Sequence, residues 1–165
     1  MIILKSFVNA FLHNDGKILL MRHSPGKTLF PGIWSGIGGH IEPHEFNTPL
    51  EACYREILEE SGIHPYHISR LDLLYIILRR AGDEIRQSYI YFGETSQSDL
   101  AETEEGELFW SEKADLLNRQ FSQTYAATLR HYLARKPGDT AVFTGAAGIN
   151  GGRLNMAWAC CEDFE

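Results

Sequence analysis

The segment from Thr48 to Ile63 constrains this chain more than any other. Thr48 can cap a helix, Pro49 suits a first helical position, and Glu51 completes a capping-box pattern. Gly62 stands where helices end in a left-handed residue, and apolar Ile63 follows it. Between these signals Leu50, Cys53, Tyr54, Ile57 and Leu58 fall on one side at helical spacing. Glu56, Glu59 and Glu60 stand at i, i+3 and i+4 on the other. Like charges so spaced repel and weaken a helix. Such a helix is expected to lay its apolar stripe on a sheet and to turn its acids toward solvent or cations.

Which cations is a matter of ligand chemistry. Mg²⁺ prefers carboxylate and carbonyl oxygens and keeps waters that substrate phosphates can replace. Arg55 can offset part of the charge and hold one glutamate in a fixed orientation. Gly36, Gly38 and Gly39, just upstream, let backbone approach a ligand closely. Glu104, Glu105 and Glu107 form a second acidic group that either adds one more ligand or is simply a solvated turn.

The whole-chain charge points the same way. Fifteen Lys and Arg against 22 Asp and Glu give a net charge of −7 over 165 residues, a balance that argues against gripping a nucleic-acid polymer through a basic surface. A nucleotide-sized partner is compatible with it if a metal supplies positive charge. No apolar run approaches the roughly 20 residues that cross a bilayer. Cys53, Cys160 and Cys161 make a poor disulfide framework and no CxxC pair. No membrane contact and a cytoplasmic location are expected. The length suits one domain, residues 1–165, either monomeric or homodimeric.

The rest of the chain reads as strands with a second helix. Phe7 to Leu12 and Lys17 to Met21 flank the turn signal Asn14-Asp15-Gly16. A loop with Pro25, Gly26, Pro31 and Gly32 runs from His23 to Trp34. Strands are expected over Ile68 to Leu78 and Tyr89 to Phe92, with a turn near Ala81-Gly82-Asp83, and over Glu107 to Trp110. Phe121 to Ala134 predicts a helix carrying Tyr125, Leu129 and Tyr132 or Leu133 on one side. A last hairpin, about 140–160, turns at Asn150-Gly151-Gly152 and is expected to cover a sheet edge or pair with another subunit. Without a regular βαβ rhythm the expected class is α+β, or a mixed-sheet sandwich.

Gly39-His40-Ile41-Glu42-Pro43-His44-Glu45 followed by Arg55 to Ile63 resembles the Nudix box of the Nudix hydrolase superfamily, in its MutT-like form. The box, 39–63, holds Gly39, Glu45, Arg55, Glu56, Ile57, Glu59, Glu60, Gly62 and Ile63. It departs in having nine residues, Phe46 to Tyr54, where the signature has seven, and His44 where glycine is usual. The resemblance implies a Nudix fold, an α/β/α sandwich around a mixed sheet. It implies hydrolysis of a nucleoside diphosphate linked to another moiety, with Mg²⁺ or Mn²⁺. Glu59, Glu60 and the Gly38 carbonyl would bind metal. Glu56 would orient or deprotonate water or join the metal shell, held by Arg55. Glu105, with Glu104 as alternate, would add a ligand.

For substrate choice, Trp34 to Gly39 resembles the segment before the box in enzymes that clear oxidised nucleoside triphosphates. Ser35 stands where some of these read the base with asparagine, so its shorter hydroxyl implies weaker or different base contact, or else it is merely a turn residue. Gly39 and His40 are expected at the substrate's edge. Phe121, Gln123 and Tyr125 offer stacking and an amide for a purine, or else belong to an ordinary amphipathic helix. Members acting on ADP-ribose tend to carry a proline after the box, and none occurs from Tyr66 to Lys136. Tyr75 is the residue a dinucleoside polyphosphate would use, or a strand core residue.

The expected substrate is therefore a nucleoside triphosphate, cleaved to monophosphate and pyrophosphate. ADP-ribose, a dinucleotide, a dinucleoside polyphosphate, or a nucleotide-sensing module without catalysis are the alternatives. Gly26-Lys27-Thr28 mimics the end of a P-loop but lacks its first glycine at Met21 and a following helix. His40, His44, His64 and His67 are expected at the surface rather than on zinc, and Cys53 in the core.

Overall fold

The computed structural model describes residues 1–24 and 32–163. The P-loop mimic and its breakers Pro25 and Pro31 lie outside the described residues. Eight strands form one mixed sheet. They are β1 (Ile3–Asn14), β2 (Lys17–His23), β3 (Trp34–Ser35), β4 (Ile68–Ala81), β5 (Glu84–Thr95), β6 (Gly106–Glu112), β7 (Val142–Asn150) and β8 (Arg153–Cys161). The order is β3-β2-β1-β5-β4-β7-β8, with β6 also pairing with β2. The β1–β5 and β4–β7 pairs are parallel and the others antiparallel. Helices α1 (Pro49–Ser61) and α2 (Gln123–Ala134) pack on opposite faces.

Alternation along the central strands sorts the core into two layers. On β1, Val8, Ala10 and Leu12 face α1, where Ala52, Cys53 and Ile57 meet them. Phe11 faces α2, with Ile90, Phe92 and Leu129. A sheet buried on both faces reads as nearly continuous apolar sequence, which is why Val8 to Leu12 and Ile18 to Met21 show no clean polar alternation. Each fully buried Ile or Leu contributes about 1.5–3 kcal/mol.

The N-terminal hairpin forms at its expected turn, with Asp15 and Gly16 at φ 49° and 77°. Its strands then part. β1 and β2 pair only at His13–Ile18 and Asn14–Lys17, while β6 lies along the other edge of β2 from Lys17 to His23. The glycine segment enters the gap along β1. Val8 and Ala10 donate to the Gly39 and Ile37 carbonyls at 3.0 and 2.7 Å, and Ile37 and Ile41 donate back to Ala10 and Ser6 at 2.9 and 3.0 Å. A Cβ on Gly36 would run into the Ala10 carbonyl and Asn9 Oδ1, and one on Gly38 into the Val8 carbonyl. The glycines thus serve close strand contact as much as ligand approach.

Two expectations about α1 are corrected. Thr48 makes no side-chain cap; the reciprocal acid arrangement sits earlier, in the 3₁₀ turn Pro43–Glu45, where the Glu42 N–H donates to Glu45 Oε2 at 2.9 Å. Leu50 is 40% exposed, and Ala52 takes its place on the buried stripe. The helix does end at Gly62, φ 72°, whose N–H donates to the Leu58 carbonyl at 2.9 Å. The last hairpin turns at Gly151 and Gly152 and extends the sheet beyond β4. No helix among the described residues is long and apolar enough to cross a membrane.

Candidate active site

Arg55 organises the acidic face of α1. Its Nε and Nη2 donate to Glu45 Oε1 and Oε2 at 2.7 and 2.8 Å, a bidentate pair, while Nη1 donates to Glu56 Oε1 at 2.8 Å and Glu59 Oε2 at 3.1 Å. Nη2 also donates to the His40 carbonyl at 3.0 Å. The three acids are held to different degrees, because the side chains of Glu45, Glu56 and Glu59 are 7%, 12% and 59% exposed. The nine residues after Glu45 do not stop it from reaching Arg55, since the Pro43–Glu45 turn brings it back under the helix. Arg55 holds the Glu45 carboxyl down to about 2, and Glu45 in turn raises Arg55 further.

Glu60 points the other way and has no guanidinium partner among the described residues. Its Oε2 accepts the Gly38 N–H at 2.9 Å. Burial pushes its carboxyl up to about 8 despite that bond, helped by negative charge on Glu56, Glu105 and Glu59. Burial likewise raises Glu56. The Glu56 carboxylate rests on Gly39, where a Cβ would lie 2.7 Å from both of its oxygens. Gly38 gives its N–H to Glu60, and among the described residues its carbonyl accepts no backbone hydrogen bond. As the side chains stand, Arg55 and the Gly38 amide draw the acids apart, and no three His, Cys, Asp or Glu among the described residues converge on one point.

Exposed Glu105, on the loop before β6, is close enough to add its field to Glu60 and to His23. Ser35 is buried; its hydroxyl donates to the Gly36 carbonyl at 2.7 Å and lies 2.8 Å from His23 Nε2. Burial lowers the His23 pKa, and its Nδ1 is enclosed without a partner among the described residues. Sequence reading passed over His23 and buried Asn9; the signal for His23 is that it continues the β2 alternation one residue past Arg22. The exposed His40 ring lies 4.5 Å from Phe7.

The three α2-region residues are not brought together as one pocket. Phe121 pairs through its backbone with Trp34, beside Ser35, and Gln123 is exposed at the start of α2. Tyr125 instead points into the core, edge-on to Phe11 at 6.4 Å, with its hydroxyl bonded to Ser88 and raised to about 12 by burial. Tyr75 is fully buried, with its hydroxyl 2.9 Å from His131 Nδ1 among Phe92, Phe143 and Trp158. Both tyrosines are core residues in this fold. Cys53 is buried in the apolar stripe, as expected.

The geometry can be set beside known proteins. The NUDIX domain profile matches residues 5–132. The nucleoside triphosphatase NudI of Enterobacter sp. (strain 638) is 33% identical over 93 residues, 56% of this chain and 60% of that protein. The m7GpppN-mRNA hydrolase NUDT17 of Xenopus laevis is 42% identical over 53 residues, 32% of this chain and 17% of that protein. The chain thus spans less than two thirds of these relatives. Among solved structures, the MutT protein of Bacillus halodurans superposes with a TM-score of 0.73 at 18% identity, covering 93% of this chain and 97% of its own. The E. coli ORF135 protein gives 0.67 at 24% identity, covering 84% and 96%. These likenesses show the fold, a mixed sheet flanked by few helices. With the profile spanning most of the chain, and with Arg55, Glu56, Glu59 and Glu60 on one helix beside the Gly38-Gly39 backbone, the chain belongs to the Nudix family.

Proposed function

We propose that this chain hydrolyses the phosphoanhydride of a nucleoside diphosphate linked to another group, and that its substrate is a nucleoside triphosphate, ordinary or oxidised, released as monophosphate and pyrophosphate. The observation that carries the reading is the single acidic face of α1, with Glu56 seated on Gly39 and half-buried Glu60 against the Gly38 amide. The donor set fits a hard divalent cation. A carboxylate as reluctant to ionise as Glu60, ringed by other acids, gains most from a cation, and the Gly38 carbonyl is a spare oxygen donor.

Glu56, Glu59, Glu60 and Gly38 would hold Mg²⁺ or Mn²⁺, with Glu105 supplementing them. Once bound, such an ion acidifies water and neutralises phosphate oxygens. The chain's own residues do the positioning. Arg55, locked by Glu45, fixes one oxygen of Glu56 and leaves the other free to take a proton. Exposed Glu59 is the acid most free to reorient. Ser35, His23 and His40 stand beside the glycine segment, at the edge where the nucleoside would lie. The relative named a triphosphatase supports the choice of substrate. The dinucleoside-polyphosphate alternative loses its tyrosine, since Tyr75 is sealed in the core.

The test is a release assay of purified protein with Mg²⁺ against ordinary and oxidised triphosphates, ADP-ribose, NADH and diadenosine polyphosphates. The expected result is pyrophosphate and monophosphate from a triphosphate, at a kcat/KM at least tenfold above the other classes. Preference for any other class would overturn the substrate choice, and no turnover of any would overturn the reading itself.

A further inference from the structure

The sheet ends on one side in an open strand. β8 is the last in the order and pairs with β7 from Arg153–Asn150 to Cys161–Val142. Among the described residues nothing pairs with its other edge. Gly151 and Gly152, at φ 55° and 76°, form a two-residue turn, so Asn150 and Arg153 make a hydrogen-bonded pair. Alternation from that pair aims the backbone groups of Arg153, Asn155, Ala157, Ala159 and Cys161 at β7. The Ala159 carbonyl accordingly accepts the Thr144 hydroxyl of β7 at 3.4 Å. Leu154, Met156, Trp158 and Cys160 therefore turn their N–H and C=O groups outward.

This edge lacks the devices that keep strand edges apart. No charge and no proline stands between Arg153 and Glu162, and the β7–β8 register carries no bulge. At the other end of the sheet β6 bears Glu107 and Glu112, ion-paired to Arg22 and Lys17. The β7–β8 hairpin also lies beyond residues 5–132, the segment that the NUDIX profile matches.

The edge is charge-complementary to itself. Arg153 stands at one end and Glu162 and Asp163 just past the other, all exposed. Two β8 strands run antiparallel about a two-fold axis normal to the sheet bring together residues that face the same way. With Trp158 set against its own copy, Arg153 falls opposite Asp163 twice, Asn155 opposite Cys161 and Ala157 opposite Ala159. Those alanines are exposed, so no helix of the same chain covers this part of the α1 face.

We propose that the occupant of this edge is a second copy of the chain, paired through β8 in that register so that two sheets become one. Such a contact uses the same surface on both copies and closes at two.

The test is light scattering and sedimentation of the full chain over a concentration series, where twice the chain mass is expected. Arg153→Glu sets two like-charged pairs against Asp163 and should raise the dimer Kd at least tenfold with circular dichroism unchanged. Adding Asp163→Arg should restore dimerisation. Asn155→Cys comes to about 4.5 Å between Cα atoms from Cys161 of the partner subunit, a span a disulfide bridges, so mild oxidation should give a covalent dimer that Cys161→Ser abolishes. A monomer at every concentration up to about 1 mM overturns the proposal. So does an open-ended oligomer, a dimer indifferent to Arg153→Glu, or one that Asn155→Cys does not cross-link.

Discussion

Glu45→Gln isolates the residue on which the Arg55 clamp rests. The carboxylate accepts two guanidinium bonds at 2.7 and 2.8 Å and the Glu42 N–H at 2.9 Å. An amide offers one acceptor oxygen and turns an N–H₂ toward donors, so one charge-assisted bond is replaced by a donor–donor contact. Such bonds contribute about 1.5–3 kcal/mol. Linkage gives a second route to the magnitude. Holding the carboxyl at about 2 instead of 4.5 corresponds to roughly 3 kcal/mol at most. Solvent reaching the 27%-exposed Arg55 reduces this to about 2 kcal/mol. For a chain of this length the melting temperature should fall by roughly 4–8 °C at pH 7. The folded pKa lies below the unfolded one. The stabilisation is therefore complete above about pH 4.5 and disappears as pH falls toward 2. The gap between thermal melts of the two proteins should accordingly narrow from pH 7 to pH 3. A constant gap across that range, or a drop under about 1 °C at pH 7, would refute the clamp.

Other outcomes follow from the same geometry. Glu59→Gln and Glu60→Gln should each lower turnover by orders of magnitude with circular dichroism unchanged; wild-type turnover in either removes the proposed mechanism. In EDTA the raised Glu60 pKa has the opposite sign to that of Glu45. Its carboxyl is protonated in the fold and ionised in the unfolded chain between about pH 4.5 and 8, so it makes stability decline as pH rises through that window. Millimolar Mg²⁺ or Mn²⁺ should reverse that decline and raise the melting temperature at pH 8, and no shift with either metal would contradict a formed site. Gly39→Ala places a methyl 2.7 Å from both Glu56 oxygens and should reduce kcat at least tenfold, while retained activity would show that Glu56 needs no fixed seat.

Features written in local chemistry were legible in the sequence. The Asn14-Asp15-Gly16 and Asn150-Gly151-Gly152 turns, Pro49 at the head of α1 and Gly62 at its end all sit where backbone preference alone puts them. The three acids were legible because helix periodicity is a local property. What escaped reading depended on partners distant in sequence. Thr48 lost its capping role because Glu45, drawn to Arg55, closes the turn before the helix. Leu50 is 40% exposed, and Ala52 and Cys53 are the first inward residues of α1, a phase that only the packing partner sets. Tyr75 and Tyr125 have the composition of stacking residues and of core residues alike. Only the strands opposite them, bearing Phe11, Phe92 and Trp158, decide the question.

The opening of the β1–β2 hairpin bears most directly on the proposed chemistry, and no residue in it announces the event. The hairpin turn is strong, and an ordinary ladder would have run the length of both strands. Instead that edge of β2 pairs with β3 at Met21 and Arg22, and β1 takes the backbone of Gly36 to Ile41 as its neighbour. Because that segment hydrogen-bonds through Ile37 and Gly39, the alternate residue Gly38 presents its amide and carbonyl to the other side, toward α1. The amide is taken by Glu60. The period-two pattern of a strand and the i, i+3, i+4 pattern of a helix thus meet at one place, and each supplies what the other lacks. The strand fixes the direction of a carbonyl, and the helix brings acids that only a cation can fully satisfy. Arg55 supplies that charge to Glu45, Glu56 and Glu59 but makes no hydrogen bond to Glu60. Of these four acids, the one without a guanidinium bond among the described residues is therefore the one seated beside the spare carbonyl, and that is where the proposed metal should bind most strongly.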